Sequence, residues 1–345
     1  MMEVAYLCEK HAHHAAHHPL YRTAAALGTG NIERRISYAP PSAPVRWLNR
    51  RLYLLSGLYQ YTVFNLRDEL LAAASILLLP PRIYHVVFGD DCYRYLGHLN
   101  GVRGSRVVAS FHQPPAVFDR IAGCTNHVRR LSAVHVVAGN QIPRFERIVP
   151  RERIFLIPHP IDAGFFSPGE GAKAPGRTCI FVGQWLRDFD MMRRVIASVG
   201  ARDRGVRFVI VTFPSRFRHF EGLGNVVLKS GVPDEELRAL YRGADLLVLP
   251  LEDCTFNNAL LEAMACGLPA VVTDIGGVRD YTDPSCAVLA AKGGGPGEMA
   301  EAVLALLDDD RRRSEMGRRA RERALLFHWE AVAPRFMEMY RAISE

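Results

Sequence analysis

The stretch that decides the fold is LPLEDCTFNNALLEAMACGLPAVVTDIGGVRDY, residues 249–281. It begins as an apolar strand that ends at Pro250, continues as a loop with two carboxylates, and predicts a helix from Asn258. A second apolar strand, residues 270–273, leads into Gly276-Gly277, where the missing side chains let a ligand approach the backbone. Strand, loop, helix and strand in this order predict a parallel βα unit, and such sheets bind ligands at the carboxyl ends of their strands.

The same alternation of strands and helices continues on both sides of this stretch. In the C-terminal half it predicts a helix at 234–241 and further strands at 179–182, 206–212 and 226–228. In the N-terminal half it predicts strands at 4–8, 83–88, 106–111, 134–138 and 154–157. Residues 159–177 are rich in Pro and Gly without periodicity, which is typical of an interdomain linker. We therefore expect two Rossmann-like domains, residues 1–165 and 166–327, with a C-terminal helix at 328–345 that packs back on the first domain.

Two helical segments of the N-terminal half are apolar. The run LLAAASILLLPP from Leu70 is about half of the roughly 20 residues that a bilayer span requires, so it predicts a buried helix. The segment PVRWLNRRLYLLSGLYQY from Pro44 combines arginines with Trp, Leu and Tyr. Two interpretations stay open for it: a helix lying on an anionic membrane, or a core-packing helix with a solvated basic face.

Composition and charge narrow the function classes. The 345 residues are 49% hydrophobic, which excludes a disordered chain and is enough for two cores. The formal net charge of +7 is carried by residues 1–170, so this half has either a solvated arginine-rich surface or an anionic partner. No nucleic-acid-binding motif accompanies the charge, and we expect no nucleic-acid partner. Seven cysteines without a CxxC pair, and a start (MMEVAYLCEK) that predicts a strand rather than a secretory signal, indicate a reduced, cytoplasmic protein.

The segment LLEAMACGLPAVVTDIGG resembles, nearly residue for residue, the C-terminal domain of the family-4 retaining glycosyltransferases, which have the GT-B fold. The resemblance continues over residues 178–345 and includes VPDEELRALYRGADLLVLP. In the N-terminal half it is weaker, and VVASFHQPP and FLIPHPIDAGFFSP carry it. It implies parallel sheets facing a central cleft, with an acceptor-binding N-terminal domain and a C-terminal domain that binds a nucleoside-diphosphate sugar. The implied donor is UDP- or GDP-linked, and no cofactor or metal is required.

Transferred position by position, the resemblance makes Glu262 the second Glu of the family's Glu-x7-Glu motif, which holds the donor ribose. The first Glu falls at Cys254, so the motif is altered, and Asp253 is our candidate for the missing carboxylate. Backbone amides at the start of the predicted helix are expected to face the donor sugar or diphosphate. The residues at this start are Thr255, Phe256, Asn257 and Asn258.

Three other loops supply donor-side candidates. Gln184 stands where the family has Arg, and Arg187, which follows Gly183 in the same loop, is our candidate for the cation that neutralises the leaving diphosphate. The resemblance places Val232 in the loop near the nucleobase. Gly276 belongs to the Gly-Gly turn after the second strand.

The N-terminal half contributes histidines. His112 ends a strand at the family position that contacts the donor sugar, and we group it with Asp253 and Arg187 as catalytic candidates. Five more histidines follow the first strand: His11, His13, His14, His17 and His18. Three interpretations stay open for them, an acceptor-side lining, a solvated polar loop and a metal site, although no downstream Cys, Asp or Glu completes a ligand set.

The predicted function is transfer of a hexose-type sugar from a nucleoside-diphosphate sugar to an acceptor hydroxyl, with retention at the anomeric carbon. The expected setting is bacterial glycan, glycolipid or natural-product biosynthesis, and the acceptor is a sugar, a lipid-linked molecule or a small molecule. Peripheral contact with the inner membrane face is a further expected partner interaction. Two alternatives stay open: a catalytically degraded nucleotide-sugar-binding or scaffold homologue, for which Cys254 and Gln184 are the evidence, and a sugar-nucleotide epimerase.

Overall fold

The computed structural model describes residues 2–11, 27–28, 31–36, 42–56, 58, 61–169 and 177–345, with only the backbone described for 9–11 and 34–36. The described residues form two compact units. The first runs up to His159 and also includes Val332–Glu345, and the second is Pro160–Ala331. Each unit contains a six-stranded sheet whose strand pairs are all parallel, which confirms the predicted α/β class with two Rossmann-like domains.

The sheet of the first unit has the strand order β2-β1-β3-β4-β5-β6. Its strands are β1 (Glu3–His11), β2 (Ile32–Ile36), β3 (Arg82–Val86), β4 (Arg106–Phe111), β5 (Ala133–Val136) and β6 (Ile154–Leu156). The helices between these strands are α1 (Ala43–Ser56), α2 (Val63–Leu78), α3 (Pro115–Ala122) and the single turn α4 (Ile142–Phe145). Strands β3, β4 and β5 are buried almost throughout, as continuous apolar runs in a parallel sheet require.

The sheet of the second unit has the strand order β12-β11-β10-β7-β8-β9. Its strands are β7 (Arg177–Val182), β8 (Val206–Val211), β9 (Val226–Lys229), β10 (Leu246–Leu249), β11 (Ala270–Asp274) and β12 (Ala287–Ala291). Its helices are α5 (Phe189–Arg202), α6 (Asp234–Gly243), α7 (Asn258–Ala265), α8 (Val278–Tyr281), α9 (Pro296–Asp308) and α10 (Asp310–Leu325). The strand order reverses between β7 and β10, which makes their carboxyl ends the switch point of the sheet.

The last helix, α11 (Trp329–Ser344), packs on the sheet of the first unit. Val332, Phe336 and Met339 are buried in one apolar cluster with Val4 and Ile83. The first unit is thus built from two segments of chain that are far apart in sequence.

A chain of hydrogen bonds joins α11 to the interior of the same sheet. Tyr340 Oη lies 2.7 Å from Tyr6 Oη and 2.6 Å from His85 Nδ1, and His85 Nε2 lies 2.6 Å from Ser110 Oγ. Ser110 Oγ then lies 2.6 Å from His135 Nδ1, and His135 Nε2 is 2.8 Å from the Ile157 carbonyl oxygen. All five side chains are buried.

The Ile157 carbonyl fixes the direction of this chain because it can only accept a proton. His135 therefore donates from Nε2 and accepts the Ser110 hydroxyl proton at Nδ1. By the same logic His85 donates to Ser110, Tyr340 donates to His85, and Tyr6 donates to Tyr340. This direction requires two neutral imidazoles, and burial lowers the pKa of His85 to about 3 and that of His135 well below its usual value.

The apolar run from Leu70 forms a helix, as expected, but the expectation that this helix is buried is wrong. The run lies in α2, as predicted, but Leu70, Leu71, Leu77 and Leu78 are each more than half exposed. The run is apolar on every side of the helix, so its hydrophobicity does not reveal which side packs inward. A narrow stripe that includes the small Ala72 faces the protein. Within the described residues, no helix combines the length and apolar character needed to cross a bilayer.

Candidate active site

The predicted donor-side residues cluster at the switch point of the second unit. The loop after β7, residues 183–188, and the loop after β10, residues 250–257, leave neighbouring strands at the same edge of the sheet. Two backbone hydrogen bonds join these loops, from Asp188 N to Pro250 O and from Glu252 N to Leu186 O. The two loops therefore form one structural unit at the position where open α/β sheets bind ligands.

Arg187 folds back over the start of its own loop. Its Nε donates to the Val182 carbonyl at 3.0 Å and its Nη1 to the Trp185 carbonyl at 3.0 Å. Gly183, with φ +105°, leaves the space that this requires, because a β-carbon there would lie 2.6 Å from Arg187 Nη2. The guanidinium is thus held in one orientation, and the loop needs glycine at position 183.

The same guanidinium reaches the start of α7. Arg187 Nη2 donates to Asn257 Oδ1 at 3.2 Å, and Asn257 caps the helix by accepting from Leu260 N at 3.2 Å. Among the described residues, no carboxylate forms an ion pair with Arg187, and burial lowers its pKa from the ordinary value. A cation beside a helix N-terminus attracts anions through both its charge and the helix dipole.

Glu262 lies one turn into α7 and is half-buried. Its Oε2 accepts a hydrogen bond of 3.0 Å from the hydroxyl of the buried Tyr241. Burial raises the pKa of Glu262 to about 8, and the Tyr241 hydrogen bond and the Arg187 charge only partly oppose this. At neutral pH a carboxyl group with this pKa is largely protonated, so it can both donate and accept hydrogen bonds to a polyhydroxyl ligand.

The loop between β10 and α7 is fixed by its buried thiol. Cys254 Sγ lies 3.3 Å from the Tyr281 hydroxyl, and the Phe256 ring packs against the Tyr281 ring at a tilt of 40°, with centroids 4.6 Å apart. Asp253 Oδ1 accepts from the Cys254 amide at 2.7 Å, while Thr255 is buried. Of this loop, the Asp253 and Phe256 side chains and Asn258 at the start of α7 are partly accessible.

Gly276 closes the site from the loop after β11. Its φ is +57°, and a β-carbon would lie 1.9 Å from the Cys254 carbonyl oxygen, which accepts from Gly277 N at 2.9 Å. Every residue with a side chain is excluded at this position. The sequence suggested that Gly276 gives a ligand access to the backbone. In the structure, the missing side chain lets the backbone at Gly276 lie close to the Cys254 carbonyl.

Two predicted residues lie apart from this cluster. Val232 follows the edge strand β9, which β8 separates from β7 in the sheet. His112 belongs to the first unit, at the carboxyl end of β4, where its Nε2 donates to the Val87 carbonyl at 2.7 Å. This bond makes Nδ1 the acceptor, and burial lowers the pKa of His112 to about 4, so the ring is neutral at pH 7.

Asp90 is a neighbour of His112 in the first unit that sequence reasoning missed. Its carboxylate accepts from the amides of His112 at 2.8 Å and Gln113 at 3.2 Å, and burial raises its pKa to about 7. The signal was present in the sequence, because the acidic pair Asp90-Asp91 follows the predicted apolar strand 83–88 after the single residue Gly89. As for the histidine cluster, the residues from His13 to His18 lie outside the described residues, and of His11 only the backbone is described.

A cavity of about 220 Å³ lies at the carboxyl ends of the strands of the second unit's sheet. The loops after β7, β10, β11 and β12 line it, and its polar lining includes Asp188, Glu252, Lys292 and Glu298. Its lining contains none of the predicted site residues.

Comparisons with known proteins match the segment of chain that contains this cluster. Residues 176–309 match the model of the family described as "Glycosyl transferases group 1". A D-inositol 3-phosphate glycosyltransferase of Nocardia farcinica is 31% identical over 216 residues, which are 56% of this chain and 48% of that protein. One of Paenarthrobacter aurescens is 34% identical over 157 residues, 45% of this chain and 36% of that protein. The chain spans about half the length, or less, of these curated relatives.

Solved structures match over nearly the whole chain. Anabaena Alr3699/HepE in complex with UDP and glucose has a TM-score of 0.74 at 13% identity, covering 99% of this chain and 100% of that one. Sucrose-phosphate synthase from Thermosynechococcus elongatus has a TM-score of 0.70 at 18% identity, covering 99% and 98%. The chain therefore has the predicted GT-B fold, and its second unit, which holds the Arg187–Asn257–Glu262 cluster, is similar in sequence to the glycosyl transferases group 1.

Proposed function

We propose that this protein is a glycosyltransferase that moves a hexose-type sugar from a nucleoside-diphosphate sugar to an acceptor hydroxyl, with retention at the anomeric carbon. The observation that carries the proposal is the Arg187 guanidinium, held over Gly183 and hydrogen-bonded to the capping residue of α7. This arrangement lies at the switch point of a sheet within the segment that matches glycosyl transferases group 1. A fixed cation at a helix start suits a leaving diphosphate, which gains charge as its bond to the sugar breaks.

Each cluster residue has a proposed role in donor binding. Arg187 and the first free amides of α7 bind the diphosphate, and Glu262 accepts hydrogen bonds from the ribose hydroxyls, with Tyr241 orienting its carboxyl group. Asp253, Phe256 and Asn258 face the transferred sugar. His112, as a neutral imidazole with a fixed tautomer, orients the transferred sugar. Val232 contacts the nucleobase.

The reaction needs no protein nucleophile. The bond between the anomeric carbon and the phosphate oxygen breaks, the acceptor oxygen bonds to the same carbon on the same face, and the acceptor proton passes to an oxygen of the departing diphosphate. The chain's contribution is to position the donor and to stabilise the charge that develops on the diphosphate. We propose UDP or GDP as the nucleotide, and a sugar, a lipid-linked molecule or a small molecule as the acceptor.

Nucleotide binding tests this proposal first. A ligand that binds only the folded protein raises its Tm, so UDP, GDP, ADP and dTDP are compared at equal concentration by thermal shift. We expect one of them to raise the Tm, and the sugar nucleotide with that base to be turned over with release of the nucleoside diphosphate. A protein whose Tm none of the four raises would not be a sugar-nucleotide transferase.

One specific observation supports a second candidate, a nucleotide-sugar-binding homologue without turnover. Cys254 occupies the position at which the resemblance places the first motif Glu, and its thiol is buried against Tyr281. Tight nucleotide binding without transfer or donor hydrolysis, for every donor tried, would favour this candidate. An epimerase would instead release nucleotide without any acceptor.

A further inference from the structure

Exposed apolar side chains are concentrated on two neighbouring helices of the first unit. Seventeen large hydrophobic residues are exposed among the described residues, and eleven of them lie between Trp47 and Leu79, on α1, on α2 or directly after α2. Soluble monomers rarely expose apolar residues in such a concentrated patch unless the patch binds something. The two helices contact each other through the small cluster of Leu52, Leu58 and Tyr61.

Helix α1 touches the rest of the protein through one narrow stripe. Its buried and half-buried positions are 45, 49, 52 and 56, which recur at the spacing of a single helix face. At 100° per residue, the side away from this stripe carries Leu54, Trp47, Leu55 and Leu48 over an arc of about 120°. Leu54 is 68% exposed and Leu55 is 74% exposed, so the more hydrophobic face of this helix points to solvent.

Helix α2 continues the apolar surface. Phe64, Leu71 and Leu78 recur every seven residues along its outer side, and Leu70 and Leu77 flank them. Arg67 is the one charged residue among these exposed positions of α2, and it forms an ion pair with Asp68 at 2.7 Å. The leucines that the sequence assigned to a core thus form a solvent-facing stripe along the helix.

The charges on α1 indicate the kind of partner. Its sequence, APVRWLNRRLYLLS, contains three arginines and no acidic residue. Arg46 and Arg50 lie on one side of the apolar arc, whereas Arg51 lies at its centre, over the Trp47 ring, with its guanidinium carbon 5.3 Å from the centroid. Arginines beside Trp and Leu are typical of helices that lie in the headgroup region of anionic membranes. A second copy of this chain is a poor occupant, because two such faces would bring their arginines together.

We propose that the outer faces of α1 and α2, here called the α1–α2 face, bind the surface of an anionic phospholipid membrane. The leucines and Trp47 enter the boundary between headgroups and acyl chains, while the arginines contact lipid phosphates. This interaction is separate from nucleotide binding in the second unit. It stands whether or not the protein transfers a sugar.

The test is flotation of the full-length protein with lipid vesicles. We expect it to float with vesicles of phosphatidylcholine and phosphatidylglycerol at 7:3, to bind pure phosphatidylcholine vesicles about tenfold more weakly, and to lose most binding at 0.5 M NaCl. Two double variants test the apolar and the electrostatic contributions to binding. They are Leu77→Ser with Leu78→Ser, and Arg50→Glu with Arg51→Glu. Each should weaken partitioning into the anionic vesicles by about tenfold or more.

Matched controls come from the second unit. Leu325 and Leu326 are exposed leucines, and Arg311 and Arg312 are exposed arginines. The double variants Leu325→Ser with Leu326→Ser, and Arg311→Glu with Arg312→Glu, should float like the wild type. All substituted side chains are exposed, so we expect unchanged Tm values, and any nucleotide that stabilises the wild type should stabilise the α1–α2 variants equally.

Three results would overturn the proposal. One is absence of flotation with anionic vesicles at low salt, and another is equal flotation of the wild type and both α1–α2 variants. The third is a wild-type dimer in light scattering that the Leu77→Ser, Leu78→Ser variant dissociates, because the face would then be covered by a second copy. Loss of nucleotide binding would count against the proposed function and leave the membrane result intact.

Discussion

Replacing Arg187 by alanine should selectively weaken nucleoside-diphosphate binding. The guanidinium has five N–H donors, and three of them are committed to the carbonyls of Val182 and Trp185 and to Asn257 Oδ1. Two donors remain for a ligand. Hydrogen bonds between charged partners contribute about 1.5–3 kcal/mol each, and the partly exposed position reduces this, so we expect a loss of about 2–4 kcal/mol. That corresponds to about 30- to 1,000-fold weaker binding.

Isothermal titration with the nucleotide chosen by thermal shift measures this loss. Arg187→Lys keeps the charge but cannot form the same three tethers, so its affinity should fall between those of the wild type and the alanine variant. Arg193 supplies a matched control in the same unit, because it also donates to two backbone carbonyls, those of His219 and Glu221. Arg193→Ala should bind nucleotide like the wild type.

Two outcomes would refute the reasoning. If folded Arg187→Ala binds the nucleotide within threefold of the wild type, the guanidinium does not contact the diphosphate. If Arg193→Ala weakens binding by the same factor as Arg187→Ala, the loss reflects general loosening of the second unit.

Three further predictions concern stability. The folded-state pKa of Glu262, about 8, lies above its ordinary 4.5, so its contribution to stability is complete below about pH 4.5 and is lost as the pH rises through 8. The Tm of the wild type should therefore fall between pH 6 and pH 9, and that of Glu262→Gln should fall less. Equal slopes of Tm against pH would contradict the raised pKa of Glu262. Gly276→Ala should lower the free energy of unfolding by about 3 kcal/mol or more, measured with denaturant. Gly222 has a similar φ of +80° but open space around it, so Gly222→Ala should lower the free energy of unfolding by about 1 kcal/mol. Equal losses would show that the protein relieves the clash with the Cys254 carbonyl. Tyr340→Phe leaves His85 Nδ1 and the Tyr6 hydroxyl unpaired and should lower the free energy of unfolding by about 2–4 kcal/mol. Tyr6→Phe removes only the hydroxyl at the start of the hydrogen-bond chain and should lower it by about 1 kcal/mol. The reverse ranking would disprove the deduced direction of the hydrogen bonds.

The sequence predicted the strands and helices most reliably where several local signals agreed. The strand Leu246–Leu249 and the helix Asn258–Ala265 lie where the apolar runs and Pro250 placed them. The strand Ile32–Ile36 was missed because IERRI contains three charged residues, although the turn-forming Gly30 and Asn31 directly precede it. Helices were predicted for the segments from Pro44 and from Leu70, and the structure has α1 and α2 there, although α2 begins seven residues before the apolar run.

Contacts between distant residues could not be predicted from one sequence. Arg187 was a candidate from its loop alone, and its hydrogen bond to Asn257 joins residues 70 positions apart. His85, Ser110 and His135 each sit inside an apolar strand and gave no signal of a shared hydrogen-bond chain. The exposure of Leu77 and Leu78 was missed for a related reason, because burial depends on which elements pack together.

The position of α11 has a consequence for synthesis of the protein on the ribosome. Among the described residues, the second unit is built from the single range Pro160–Ala331, so this unit can fold as soon as it has left the exit tunnel. The first unit cannot finish folding then, although its strands are made earlier, because Val332–Glu345 supplies its last layer and the Tyr340 hydroxyl. The half of the protein that is translated first is therefore completed last, and the apolar side of its sheet waits for the final residues of this segment.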